Sequence, residues 1–119
     1  MTIARIAGNY RGRSRAVIHN GLVYAVATDT TSAKTVTEQT QATLLAIDKS
    51  LKDAGSDKSR IIQATVYLKN MADKTEMDTV WCEWIGDDKN NWPQRACVGA
   101  ELAEEDMIEI VVIACLINR

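Results

Sequence analysis

Two charged residues stand where a buried strand would avoid charge. Arg95 sits in the stretch "NNWPQRACVGAEL", and Glu109 is the only charge inside "MIEIVVIACLI". Burying an unpaired charge is costly. The Arg95 guanidinium must therefore reach water, find a carboxylate in its own chain, or receive an anion from outside. Its planar fork suits bidentate binding of a carboxylate. Strand alternation puts Arg95, Cys97 and Gly99 on one face. Other chemistries have few residues to work with. His19 is the only histidine, and placed before Asn20-Gly21 it reads as a surface strand residue. Triads and multi-histidine metal sites are thus hard to build. Cys82, Cys97 and Cys115 have long spacings and no C-x-x-C, which argues against a disulfide framework and a zinc site. No metal or other cofactor is expected, and any catalysis must come from Arg, Glu, Asp, Cys or the backbone.

The elements that must position these residues belong to a chain of 119 residues, read as one domain over 1–119. With 46% hydrophobic and 25% charged residues, the composition is that of a globular protein rather than a disordered or fibrous one. A formal charge of -2 gives no general attraction for nucleic acid or an anionic membrane. No apolar run reaches the length of a spanning helix, and the first residues lack the apolar stretch of a signal peptide, so the expected address is the cytoplasm.

"SRAVIHNGLVYAVAT" predicts two strands joined at a type I′ turn on Asn20-Gly21. The period then changes. Val36, Thr40, Leu44, Ile47, Leu51 and Ala54 share a helical face; Thr35 and Glu38 have capping-box spacing, and Gly55 is placed to end the helix. "SRIIQATVYLKN" is a third strand. "DKTEMDTVWCEWIG" is a second helix with Met77, Val80, Trp81, Trp84 and Ile85 on one face, Asp73 in capping position and Gly86 at its end. Trp81 and Trp84 therefore read as core rather than base-stacking residues, as do Cys82 and Cys115; Trp92 is a candidate for lining a cleft. A fourth strand is expected from about Arg95 to Leu102, and the last in "MIEIVVIACLI". The predicted order is β-β-α-β-α-β-β.

The last strand is apolar on both faces. Ile108, Ile110, Val112, Ala114 and Leu116 make one; Met107, Val111, Ile113, Cys115 and Ile117, with Glu109 among them, make the other. Such a strand is expected to be covered on both sides. Two helices can cover one face of a sheet this size, so the other predicts an oligomer. A hairpin through "AEED" would set Arg95 opposite about position 113 and leave Glu109 roughly 13 Å along the strand. A bond between the two within one chain is not expected. They could still meet across a subunit interface or around a small ligand.

"WPQRACV", followed by "IEIVVIA" after a short acidic turn, resembles the paired signature of the RidA/YjgF family of reactive-intermediate deaminases. "AGSDKSRIIQATVYLKNMADKTEMDTVWCEWI" and the helix before it continue the resemblance, which covers nearly the whole chain from Arg15 onward. It implies an α+β, chorismate-mutase-like fold with two helices on one face of the sheet. It also implies a homotrimer with sites in the clefts between subunits. The substrate would be a small 2-imino or 2-enamino acid, hydrolysed to a 2-oxo acid and ammonia. Arg95 would clamp its carboxylate, the Cys97 backbone would bind the imine nitrogen or carbonyl oxygen, and Glu109 of a neighbouring subunit would position water and relay a proton.

The chain departs from the family pattern in places. "AVATD" puts Val26, Ala27 and Thr28 where many members have a glycine-glutamine pair. Ser14 stands near the place of a ligand-contacting tyrosine, and Asp78 in place of an asparagine on the second helix. Gly99, with Glu101 two residues on, stands where a glutamate is common. Ser14, Ala27 and Asp78 are therefore counted with the substrate-binding positions. A trimeric ligand-binding or regulatory protein without turnover is the competing reading, and an endoribonuclease the third. Nucleic acid is not an expected partner. Arg5, Arg11, Arg13 and Arg15 form a basic cluster that reads more simply as a solvated edge or cleft rim.

Overall fold

The chain begins with a strand that the residue pattern does not announce. In the computed structural model, which describes residues 2–117, β1 (Ala4–Ala7) pairs antiparallel with β2 (Ser14–His19), Ala4 beside Ile18 and Ile6 beside Ala16. Only Ile6 of its four residues packs against the core, too little for alternation to register. The order is thus β-β-β-α-β-α-β-β rather than β-β-α-β-α-β-β. Asn20 and Gly21, at φ 54° and 83°, supply the two left-handed residues of a type I′ turn. That turn leads into β3 (Leu22–Thr28).

Helix α1 (Val36–Ala54) starts where Thr35 Oγ1 accepts the Glu38 N–H at 3.1 Å and ends at Gly55, φ 90°. Its six expected face residues are all buried. After β4 (Ile61–Leu68) comes α2 (Lys74–Ile85), which starts after Asp73 as expected but is capped differently. Asp73 makes no capping hydrogen bond. Instead Asn70 Oδ1 accepts the Ala72 N–H and opens a 3₁₀ turn, Met71–Asp73, that runs into the helix. Glu76 accepts the Thr37 hydroxyl at 2.7 Å and ties the two helices together.

The sheet order is β1-β2-β3-β6-β4-β5, where β5 is Gln94–Gly99 and β6 is Ile108–Cys115. This corrects the hairpin expected through "AEED". β5 is an edge strand parallel to β4, reached through α2 as a β-α-β crossover, with Arg95 beside Ala64 and Gly99 beside Leu68. The chain then straddles the end of β4: Ala100 N–H bonds the Leu68 carbonyl, and Lys69 N–H the Met107 carbonyl. β6 returns antiparallel between β3 and β4.

Both helices lie on one face. Against them pack Val23, Val66, Leu68, Ile108, Ile110 and Val112, each 1% exposed or less. Burying one such side chain contributes roughly 1.5–3 kcal/mol. Among the described residues the opposite face has no such cover: Val111 and Ile113 are half-buried, and Tyr24 and Val98 are 42% and 43% exposed. Among the described residues no helix is long and apolar enough to cross a membrane.

Candidate functional site

Arg95 lies on the helix-covered side of edge strand β5, and α2 receives it. The positions of α2 that face it, 77, 78 and 81, follow one helical face. The guanidinium carbon is 5.1 Å from the Trp81 ring centroid, within cation–π range. Nη1 points at Met77 Sδ, 3.8 Å away, and Nη2 donates to Asp78 Oδ1 at 2.6 Å. Asp78 Oδ2 in turn accepts from Lys74 Nζ at 2.7 Å, a helical i, i+4 pair. Of the three fates open to Arg95, the chain realises the internal carboxylate.

The arginine is not used up by these partners. Its side chain retains 18% exposure. A guanidinium has five N–H donors. Among the described residues only Nη1 and Nη2 engage partners, one of them a thioether, which accepts weakly. Two cations against one carboxylate also leave the Lys74–Asp78–Arg95 cluster with one net positive charge. Burial on its own would raise the Asp78 carboxyl, but the hydrogen bonds from Lys74 and Arg95 outweigh it and hold the group below the ordinary value. The site is therefore a half-sheltered cation with spare donors, against an aromatic wall.

Cys97 is next on the same face, half-buried against the core. Burial pushes its thiol up, only partly opposed by the Arg95 charge, so it is poorly suited to act as a thiolate nucleophile. Cys82 is not a core residue as expected but faces solvent on α2, and Cys115 is only half-buried. Trp81 is buried, while Trp84 is half-buried and donates to Asp48 Oδ2 at 3.0 Å. Trp92 is 56% exposed and lines a shallow hollow with Arg60, Ile62 and Cys115, without Arg95. Arg15 is held at Asp53 Oδ2, 2.7 Å, and at Ser50 Oγ, 3.0 Å, which binds one member of the basic cluster to α1.

The remaining expected site residues do not join Arg95 within the chain. Glu109 pairs across β6 with Thr28 and Tyr67 and points to the open face of the sheet. Arg95 is level with Val112, through Ala64, on the other face. The two are thus separated by the sheet itself, by three residues of strand and by two strand spacings, each step roughly 10 Å. Ala27 shares the helix-covered face and lies in one cross-sheet row with Ile110, Val66 and Cys97. Three strand spacings, about 14 Å, separate it from Cys97. Ser14 begins β2, opposite Ala7. The chain brings together Arg95, Cys97 and Asp78; Glu109, Ala27 and Ser14 lie apart. Sequence reasoning passed over Lys74, although its i, i+4 spacing to Asp78 was a visible signal.

A mixed six-stranded sheet backed by two helices, with an arginine presented from an edge strand, defines an α+β fold. The family described as Endoribonuclease L-PSP matches residues 2–116. A RutC family protein of Haemophilus ducreyi is 46% identical over 107 residues, 89% of this chain and 90% of that protein. RutC family protein YoaB of Escherichia coli is 34% identical over 117 residues, covering 98% of this chain and 100% of its own. Among solved structures, a YjgF family member from Neisseria meningitidis superposes with a TM-score of 0.92 at 35% identity, covering 100% of this chain and 98% of that one. The chain belongs to the YjgF (Rid, RutC) family.

Proposed function

We propose that this chain is a hydrolytic deaminase of reactive 2-imino and 2-enamino acids, acting in the cytoplasm as a homotrimer with its sites between subunits. The observation that carries the reading is Arg95: a sheltered guanidinium with unengaged donors and a surplus positive charge on its cluster. A substrate carboxylate docks on those donors. The imine nitrogen, or the oxygen of the product, lies along the strand against the Cys97 backbone. Ala27 and Ser14, which lie apart from Arg95 within the chain, join the wall of the cleft from a neighbouring subunit, and Asp78 flanks the clamp.

Glu109 is on the wrong face to serve Arg95 of its own chain. The open face of one copy packed over the β5 edge of the next supplies it in trans, which is why the reading requires an assembly. Glu109 accepts a proton from water as its oxygen attacks the imine carbon, and the C=N π pair moves to nitrogen. Returning the proton to that nitrogen gives a neutral carbinolamine; Glu109 then takes the hydroxyl proton and passes it to the amine, so the C–N bond breaks as the carbonyl forms, releasing ammonia and a 2-oxo acid. Such general acid–base assistance is worth roughly 10²–10⁴-fold.

The test is hydrolysis of freshly generated 2-iminopropionate by the wild type and by Arg95→Ala. Turnover that falls roughly 100-fold or more in the variant, as expected when a charged hydrogen-bonded pair loses one partner, supports the reading. Equal turnover removes the clamp. The Asp78 carboxylate on Arg95 favours one second reading, a trimer that holds a small anion without turning it over. Binding of 2-oxo acids with no turnover of any imino acid would select it.

A further inference from the structure

Asp78 creates a difficulty for any anion that approaches Arg95. Its Oδ1 is 2.6 Å from Nη2, so a carboxylate docking on the guanidinium meets another carboxylate already there. Alone, the pair would be neutral, and the incoming anion would gain little. Lys74 changes this balance. Its Nζ holds the other oxygen, Oδ2, at 2.7 Å. Lys74 is anchored one helical turn before Asp78 and keeps 44% exposure, while Asp78 keeps 32%. The aspartate thus has a second cation on the solvent side, away from the Trp81 and Met77 wall that fixes Arg95.

Resting on the deaminase reading of the Arg95 site, we propose that Lys74 is its charge-balancing, positioning residue. By holding Asp78, it leaves Arg95 a net positive charge and gives the aspartate a partner to stay with when a substrate carboxylate takes Nη2. The cluster then carries one unit of charge to neutralise, so the site selects substrates with a single carboxylate. A 2-imino acid with an uncharged side chain is accepted; one with a second carboxylate meets Asp78 after the surplus is gone.

The arithmetic of charge makes the proposal testable. Lys74→Met sets the cluster to zero, Asp78→Asn raises it to plus two, and the double variant restores plus one. The probe is 2-oxobutanoate, a stable carboxylate, titrated by NMR into each variant of the full chain; 2-oxoglutarate serves as the two-carboxylate comparison. Lys74→Met is expected to raise the Kd for 2-oxobutanoate roughly tenfold, the scale of losing one partly screened charge a few ångströms from the ligand. Lys74→Arg and the double variant are expected to return it near the wild-type value. Asp78→Asn is expected to narrow the preference for 2-oxobutanoate over 2-oxoglutarate. A Kd unmoved by Lys74→Met, or not restored in the double variant, overturns the balancing role. If Arg95→Ala loses binding while Lys74→Met keeps it, only that role fails. If Arg95→Ala binds no less tightly than the wild type, the clamp itself fails, and the balance with it.

Discussion

Replacing Asp78 by Asn should destabilise the chain by a definite amount that disappears in acid. The substitution keeps the shape of the side chain and an amide oxygen that can still accept a hydrogen bond, so chiefly charge is lost. Asp78 makes two ion pairs, to Arg95 at 2.6 Å and Lys74 at 2.7 Å. Exposed pairs are each worth about 0.2–1 kcal/mol. The Lys74 pair belongs in that range; the Arg95 pair, with the arginine mostly sheltered, belongs at its top or slightly above. A loss of about 1–2 kcal/mol is expected near neutral pH. With a urea dependence of about 1–3 kcal/mol/M, the midpoint falls by roughly 0.3–2 M.

The acid behaviour supplies the sharper test. The Asp78 carboxyl is held below its ordinary value of 3.8 in the folded chain. Its contribution is therefore complete above that value and fades as pH falls through the lower folded one. Asp29 and Asp53 are also lowered, but they are common to both proteins and cancel in the difference. Urea melts at matched protomer concentration, which must be held fixed if assembly contributes to stability, should show two converging curves below about pH 4. A difference that is flat down to pH 2.5, or absent at pH 7, would refute the ion-pair account of how Arg95 is held.

Other outcomes follow from the same geometry. Arg95→Lys keeps the charge but loses the planar fork and the stacking on Trp81, so kcat/KM for 2-imino acids should fall roughly 10- to 100-fold in a steady-state assay. Ile113→Asp puts a charge on the face that the helices leave open; light scattering after gel filtration should then show the proposed trimer reduced to protomers, and an unchanged mass would remove that face from the interface. Iodoacetamide at neutral pH, read by peptide mass spectrometry, should label exposed Cys82 well before Cys97, whose thiol burial pushes up.

Legibility in the sequence followed the length of the signal. Helix α1 could be read almost residue by residue, because its apolar positions, Thr35 cap and Gly55 stop agree with one another over nineteen residues. The Asn20-Gly21 turn was equally plain, since few dipeptides adopt two left-handed conformations in a row. β1 was too short to show a period. The start of α2 was legible at Asp73 but its capping was not, because Asn70 and Asp73 both offer capping oxygens and only packing decides between them. The largest error, joining β5 and β6 as a hairpin, came from treating nearness in sequence as pairing. A short link can also cross the end of a third strand, and nothing local distinguishes the two.

That error bears on the Arg95 site. Placed in a hairpin, Arg95 and Glu109 would lie on adjacent strands about four residues, roughly 13 Å, out of register. In the actual order, β4 stands between their strands and their side chains leave opposite faces. No local rearrangement that preserves the sheet brings them together. Asp78, counted from the sequence with the substrate-binding positions, is the group that Arg95 meets first within the chain. The two carboxylates therefore divide by topology: Asp78 holds the arginine in place within the chain, and chemistry that needs Glu109 at the same arginine must take it from another copy. A single protomer should accordingly bind a small carboxylate at Arg95 yet fail to hydrolyse an imine. Ile113→Asp tests this directly, since it should abolish turnover while leaving 2-oxobutanoate binding measurable; loss of both together would show that the anion clamp also needs the interface.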